Sequence, residues 1–349
     1  MLSRLTGNQQ TKEVLHRMLT HKRVPGAMIF AGEEGIGKKL FALEVAKALN
    51  CRTPVGVEAC DKCSACVRAG TFTLPAPDDA EANKQILWSG HRDVGLVRAA
   101  GRFITVPQIR EIERETNYRP FEGTARFFLI EDADRLNEAS SNALLKTLEE
   151  VPPTSYLILI TARPSSLLPT IRSRCQTIRF APLAADEIES FLIARGKRSG
   201  EEARLAAQFA GGRLGAALEI SVDDYRAGRE LMMGVIEALT VNADRVRLLR
   251  AAEELSDAKN KEHYEPRLDV LQTLVHDLWL LTLNFPEAKI INEDLREQLT
   301  RLSNLVASNR VAAWLSRIEE LRGQLAVNIN RRVATDALLL SMAAEDIRR

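Results

Sequence analysis

Apolar residues along this chain follow two rhythms, and the change comes near residue 180. Ala27-Met28-Ile29-Phe30-Ala31, Phe127-Phe128-Leu129-Ile130 and the run from Tyr156 through Leu157-Ile158-Leu159-Ile160 to Thr161 place apolar side chains at consecutive positions. Such runs predict strands buried on both faces. Helical spacing lies between them, over 40–49 and 139–150. Strands alternating with helices predict an α/β unit around a parallel sheet. The stretch from about 70 to 90, with Gly70, Pro75 and Pro77, has no clear period and reads as a loop or insertion.

Past Arg179-Phe180-Ala181-Pro182 the strand pattern stops. Short helical segments over 186–195, 201–209 and 214–220 are broken by Gly196, Gly200 and Gly211-Gly212. From about 223 onward the pattern is helical throughout. Leu231, Val235 and Leu239, then Leu271, Leu274, Leu278 and Leu281, then Leu315, Ile318, Leu321 and Leu325 recur at helical spacing. They predict the inside of a helical bundle and no chemistry. The expected divisions are therefore 1–180, 181–222 and 223–349, in keeping with a 349-residue chain that is long for one domain.

Charge narrows the function classes. Lys+Arg 48 against Asp+Glu 47 leaves a formal charge of +1, so a strongly basic nucleic-acid binder is excluded. Contact with DNA would need a local patch or partner subunits. No apolar run approaches the ~20 residues that span a bilayer, and Met1-Leu2-Ser3-Arg4-Leu5-Thr6-Gly7 has no apolar signal core. The expectation is a cytoplasmic protein without membrane contact.

Four of the five cysteines fall at Cys51, Cys60, Cys63 and Cys66; the fifth is Cys175. An odd count in a reducing compartment argues against a disulfide framework. Two-residue spacings let a turn present successive thiolates to one Zn²⁺, and four thiolates leave no open position. The expected role is structural.

Gly32-Glu33-Glu34-Gly35-Ile36-Gly37-Lys38-Lys39 follows the first strand and opens a helix, the setting of a phosphate loop. Glycines there let backbone N–H groups curl around phosphate, and Lys38 caps it. The next position should supply a hydroxyl for Mg²⁺, and it is Lys39. An ammonium ~4 Å from a divalent ion, at an effective dielectric of ~20, repels it by several kcal/mol. ATP binding is doubtful here and Mg²⁺-assisted hydrolysis more so. The strand ending at Ile130 runs into Glu131-Asp132, an acidic pair that can serve Mg²⁺ and orient water. The order inverts the usual Asp-Glu, and a solvated turn would also leave two acids there.

Ala133-Asp134-Arg135-Leu136, then Asn142 through Leu144-Leu145-Lys146-Thr147-Leu148 to Glu149-Glu150, then Ser173-Arg174-Cys175, together resemble the clamp-loader branch of AAA+ ATPases. The resemblance spans about residues 7–220 and continues more weakly to the C-terminus; His91-Arg92-Asp93-Val94 and 104–112 also look like family segments. It implies a RecA-like AAA+ domain with an inserted zinc module, a three-helix lid and a helical collar that joins a pentameric ring. It also implies assembly with the delta and gamma/tau subunits of the DNA polymerase III clamp loader, which places a sliding clamp on primed DNA. In that family the arginine matching Arg174 enters the ATP site of the adjacent subunit, a role suited to a planar guanidinium. Thr161 matches the first sensor position, and Gly215 stands where active members carry a second-sensor arginine. A missing hydroxyl, an inverted acidic pair and a lost sensor beside an intact Arg174 imply a subunit without ATPase chemistry of its own. The alternatives are an active gamma/tau-type ATPase, a purely structural scaffold and an independent DNA-repair ATPase.

Overall fold

The computed structural model describes residues 1–73, 75, 79, 84–99, 101–257, 264–283, 290–325 and 329–344. The chain forms two compact units, one of residues 1–199 with 210–218, the other of 200–209 with 219–349.

The first unit is built on β1 (Ala27–Ala31), β2 (Leu87–Trp88), β3 (Val94–Val97), β4 (Arg126–Ile130), β5 (Ser155–Thr161) and β6 (Gln176–Arg179), in the order β2-β3-β4-β5-β1-β6. All neighbours are parallel except β2 on β3. Around the sheet run α1 (Gln9–Thr20), α2 (Lys38–Asn50), α3 (Ser64–Ala69), α4 (Val106–Thr116), α5 (Glu138–Glu149), α6 (Pro169–Arg174) and α7 (Ala185–Ala194). The unbroken apolar runs now have their cause. Successive strand side chains point to opposite faces; Met28 and Phe30 enter one core layer with Phe41 and Phe127, while Ile29 joins Phe128, Leu144 and Leu159 in the other. A sheet covered on both faces needs apolar residues at every position.

Local signals start the helices. Thr105 and Gln108 form a capping box at α4, with Pro107 in its first turn, and the Asn137 side chain accepts from the Ser140 N–H at α5. One departure concerns the expected 70–90 loop. Leu87–Trp88 pair with β3, and the Trp88 ring meets Phe128 edge-on at 5.9 Å. Two residues are too few to show a period. Residues 74, 76–78 and 80–83 of that segment lie outside the described residues.

The second unit is all-helical: α8 (Gly200–Phe209), α10 (Val222–Val241), α11 (Arg245–Ser256), α12 (Tyr264–Thr282), α13 (Arg296–Ser303), α14 (Ser308–Leu325) and α15 (Arg331–Ala343), with α9 (Leu214–Glu219) belonging mainly to the first unit. Its core holds Leu239, Leu271, Leu274, Leu278, Ile318 and Trp314, with Leu231, Leu281, Leu315 and Leu325 packed at the margin. Asp277 is wholly buried and accepts from the Ile291 and Asn292 N–H groups and from Asn292 Nδ2. Among the described residues no helix is long and apolar enough to cross a membrane.

Candidate functional site

In a parallel sheet the strands open at one edge, and the loops leaving β1, β4 and β5 meet there, with β5 between the other two. The first loop has the backbone of a phosphate cradle: Gly35 and Gly37 take φ of +78° and +95°, which side chains disfavour. Its cations are turned inward. Lys38 is buried and its Nζ donates to the carbonyls of Gly32, at 2.6 Å, and Glu33. Burial pushes its pKa down.

Lys39 reaches across to the second loop. Its Nζ lies 3.3 Å from Glu131 Oε2, with both side chains about a third exposed. The ammonium thus pairs with the carboxylate expected from its sequence position to serve a divalent ion. Asp132 sits at φ +50°, its carboxylate 3.6 Å from Arg135 Nε. Thr161, at the end of β5, is buried, and its hydroxyl donates to Asp134 at 2.9 Å. Asp134 also takes Arg163 Nη2 at 2.6 Å. Burial alone would raise the Asp134 carboxyl, but the bonds from Arg163 and Thr161 hold it below its ordinary value. Sequence reasoning assigned no role to Asp134 or Arg163. Asp134 stood in view beside Glu131-Asp132, but its partner is 27 residues further on.

α9 closes against the phosphate loop. The Gly215 N–H donates to Gly35 O at 2.9 Å, and a Cβ at Gly215 would stand 3.3 Å from that carbonyl. Any side chain there presses on the cradle. Arg213 Nε turns back to Ala210 O at 3.1 Å.

Arg174 ends α6. Its Nη2 donates to Glu149 Oε1, at the end of α5, at 2.7 Å, and its Nη1 donates to Thr170 O at 3.1 Å. Both charged side chains are more than a third exposed. Such a surface pair is worth ~0–1 kcal/mol and exchanges readily for a better anion. Cys175 is buried in the core, and burial pushes its pKa up to about 12.

The other four cysteines converge. Cys51 follows α2, Cys63 caps α3 and Cys66 lies within α3. The four Sγ atoms lie within 4.8 Å of one another, with Cys51–Cys63 at 3.9 Å and Cys60–Cys66 at 4.0 Å. Tetrahedral thiolates at a Zn–S distance of about 2.3 Å stand about 3.8 Å apart, so the cluster fits zinc. Cys60 Sγ accepts from the Thr53 hydroxyl and from the N–H groups of Lys62 and Cys63, which lower its pKa to about 5.

Comparison with known proteins places the chain in a family. The family described as DNA polymerase III, delta subunit matches residues 7–184, and its C-terminal family matches residues 234–343. The DNA polymerase III subunit delta′ of Bacillus subtilis is 28% identical over 331 residues, covering 95% of this chain and 94% of that protein. The delta′ of Escherichia coli is 29% identical over 323 residues, covering 90% and 87%. Subunit tau of Bacillus subtilis is 30% identical over 186 residues, which cover 53% of this chain and 30% of tau.

Proposed function

This chain belongs to the DNA polymerase III delta-subunit family, and from that membership we propose that it is the ATPase-degenerate member of a clamp loader, completing a neighbour's ATP site with Arg174. One observation carries the reading. The delta′ relatives align along 90–95% of this chain and 87–94% of their own length, whereas two tau relatives align over 53–74% of it and only 30–38% of theirs, so the gamma/tau-type alternative is not favoured.

The site supports a loss of turnover. Hydrolysis needs a divalent ion held by a hydroxyl and a carboxylate; here Lys39 replaces the hydroxyl and pairs with Glu131. Thr161 is committed to Asp134, and Gly215 brings no guanidinium to the cradle. Gly32, Gly35, Gly37 and Lys38 remain as the frame of a phosphate loop, with Asp132 on the neighbouring acidic loop, without the metal chemistry. Arg174, by contrast, is held by a surface pair with Glu149 and one exposed bond to the Thr170 carbonyl. Entering a neighbouring subunit's γ-phosphate site, a guanidinium can supply roughly 10³–10⁵ in rate.

The remaining parts follow the same reading. Zinc held by Cys51, Cys60, Cys63 and Cys66 is structural, because no ligand position stays open for chemistry. Residues 1–180 form the AAA+ domain, 181–222 the lid and 223–349 the collar that joins delta and gamma/tau in a cytoplasmic ring. That assembly opens the sliding clamp and sets it on primed DNA. The experiment is clamp- and DNA-stimulated ATPase of a reconstituted loader carrying this subunit with or without Arg174→Ala. A silent isolated chain, with turnover of the complex cut at least ~10³-fold by the substitution, is expected. Unchanged turnover would reduce the subunit to scaffold; turnover by the chain alone would refute the degenerate site.

A further inference from the structure

Between α4 and β4 the chain has little apolar burial of its own to order it: Tyr118 is 56% exposed and Phe121 68%. Side chains from elsewhere hold it instead. The wholly buried Asp93 carboxylate accepts from the N–H groups of Phe121, Glu122 and Gly123 at 2.6, 2.9 and 2.8 Å. The buried Asn50 continues the series, its Oδ1 accepting from the N–H groups of Thr124 and Ala125 at 2.9 and 3.1 Å. Its Nδ2 donates to the carbonyls of Ala46 and Ala125 at 3.2 and 3.0 Å, tying the segment to the last turn of α2. Arg68 supplies a third hold. It grips both oxygens of Glu122, at 2.8 and 2.6 Å, and donates to Gly90 O at 3.0 Å.

Two of these three holds stand beside cysteines of the zinc cluster. Asn50 ends α2 and directly precedes Cys51, and Arg68 lies in α3 two residues beyond Cys66. One ion bound by Cys51 and Cys66 therefore fixes the end of α2 against α3, and with it the spacing between Asn50 and Arg68. Little else does so. The apolar cluster of the turn is only Ala59, Cys60 and Cys66, and the Lys47–Asp61 pair, at 3.3 Å, is partly exposed. Asp93, the remaining hold, comes from the other side, just before β3, and needs no zinc.

We propose that the zinc site is a brace for residues 117–125, aligning Asn50 and Arg68 so that together they fix this segment and present its exposed tip. The role is specific: zinc orders a stretch that contributes none of its ligands. Such coupling is reciprocal, so whatever orders the segment also tightens zinc binding. The inference rests on the zinc site and uses neither Arg174 nor the phosphate loop, so it stands or falls independently of the ATPase reading.

The first measurement is hydrogen–deuterium exchange with mass spectrometry on the full chain, zinc-loaded and stripped with a chelator. Peptides covering 117–125 are expected to exchange about tenfold faster without zinc, while those of β5 and the helical unit stay unchanged. Equal exchange of 117–125 in both forms would overturn the brace. So would a rise throughout the first unit, because zinc would then hold the whole fold and no particular segment. The second measurement is zinc affinity of Glu122→Gln, by competition with a chromogenic chelator. Zinc with four thiolates is net negative, so electrostatics alone would make loss of the Glu122 charge tighten zinc. The brace predicts the opposite, a weakening of about fivefold or more. Affinity unchanged or raised would show that the Arg68–Glu122 grip carries no coupling and would refute the proposal.

Discussion

At position 39 a lysine stands where a hydroxyl would hold Mg²⁺, and its ammonium reaches Glu131 at 3.3 Å. The residue type and the missing hydroxyl were legible in the sequence, and the pairing with Glu131 was not. A long stem can turn from a metal site or fill it, and only the position of Glu131 across the sheet decides. With both side chains about a third exposed, the pair adds ~0–1 kcal/mol to stability, so Lys39→Thr should cost little. The variant should instead gain a response to Mg²⁺ with ADP, its melting midpoint rising ~2–4 °C at saturation while the unaltered chain stays flat. Differential scanning fluorimetry with and without Mg²⁺ reads this directly. A shift in the unaltered chain as large as in the variant would show that Lys39 excludes nothing. Thr161 follows the same logic: its strand end was readable, and its bond to Asp134 was not.

Among the elements, the cysteine turn depends most on something other than its own packing. Its buried cluster is only Ala59, Cys60 and Cys66, with Cys51 and Cys63 at the margin. So small a core cannot offset the entropy of ordering some sixteen residues, whereas zinc binding of order 10 kcal/mol can. Removing zinc with a chelator, or changing Cys63→Ser, is expected to expose residues 51–66 to proteolysis. Limited digestion followed by mass spectrometry would locate the cuts. Protection undiminished after zinc loss would mean that the turn is held by its neighbours alone. The strands gave a clearer sequence signal than this turn's surroundings, because burial on both faces forces an apolar residue at every position. β2 gave none, being two residues long and recruited by pairing with β3.

Across the whole molecule, two units have separate cores, built on a sheet in the first and on helices in the second. Asp277 is the polar keystone of the second, fully buried and accepting three hydrogen bonds. Asp277→Ala would orphan the Ile291 and Asn292 N–H groups, at ~2–4 kcal/mol for the two. Urea unfolding should show that loss while zinc content stays constant; a substitution costing under ~0.5 kcal/mol would mean that water replaces the carboxylate. The sequence alone determined the α/β-to-helical succession, the phosphate-loop frame and the close spacing of four cysteines. Each is written in periodicity or short spacing, which a local stretch of chain enforces unaided. Tertiary structure alone decided that Lys39 meets Glu131, that Asp134 captures Thr161, that Gly215 lies on Gly35 and that Asp93 props Phe121 into solvent. Those contacts join segments distant in the chain. They follow from strand order and register, with β5 set between β1 and β4, and no local pattern encodes them.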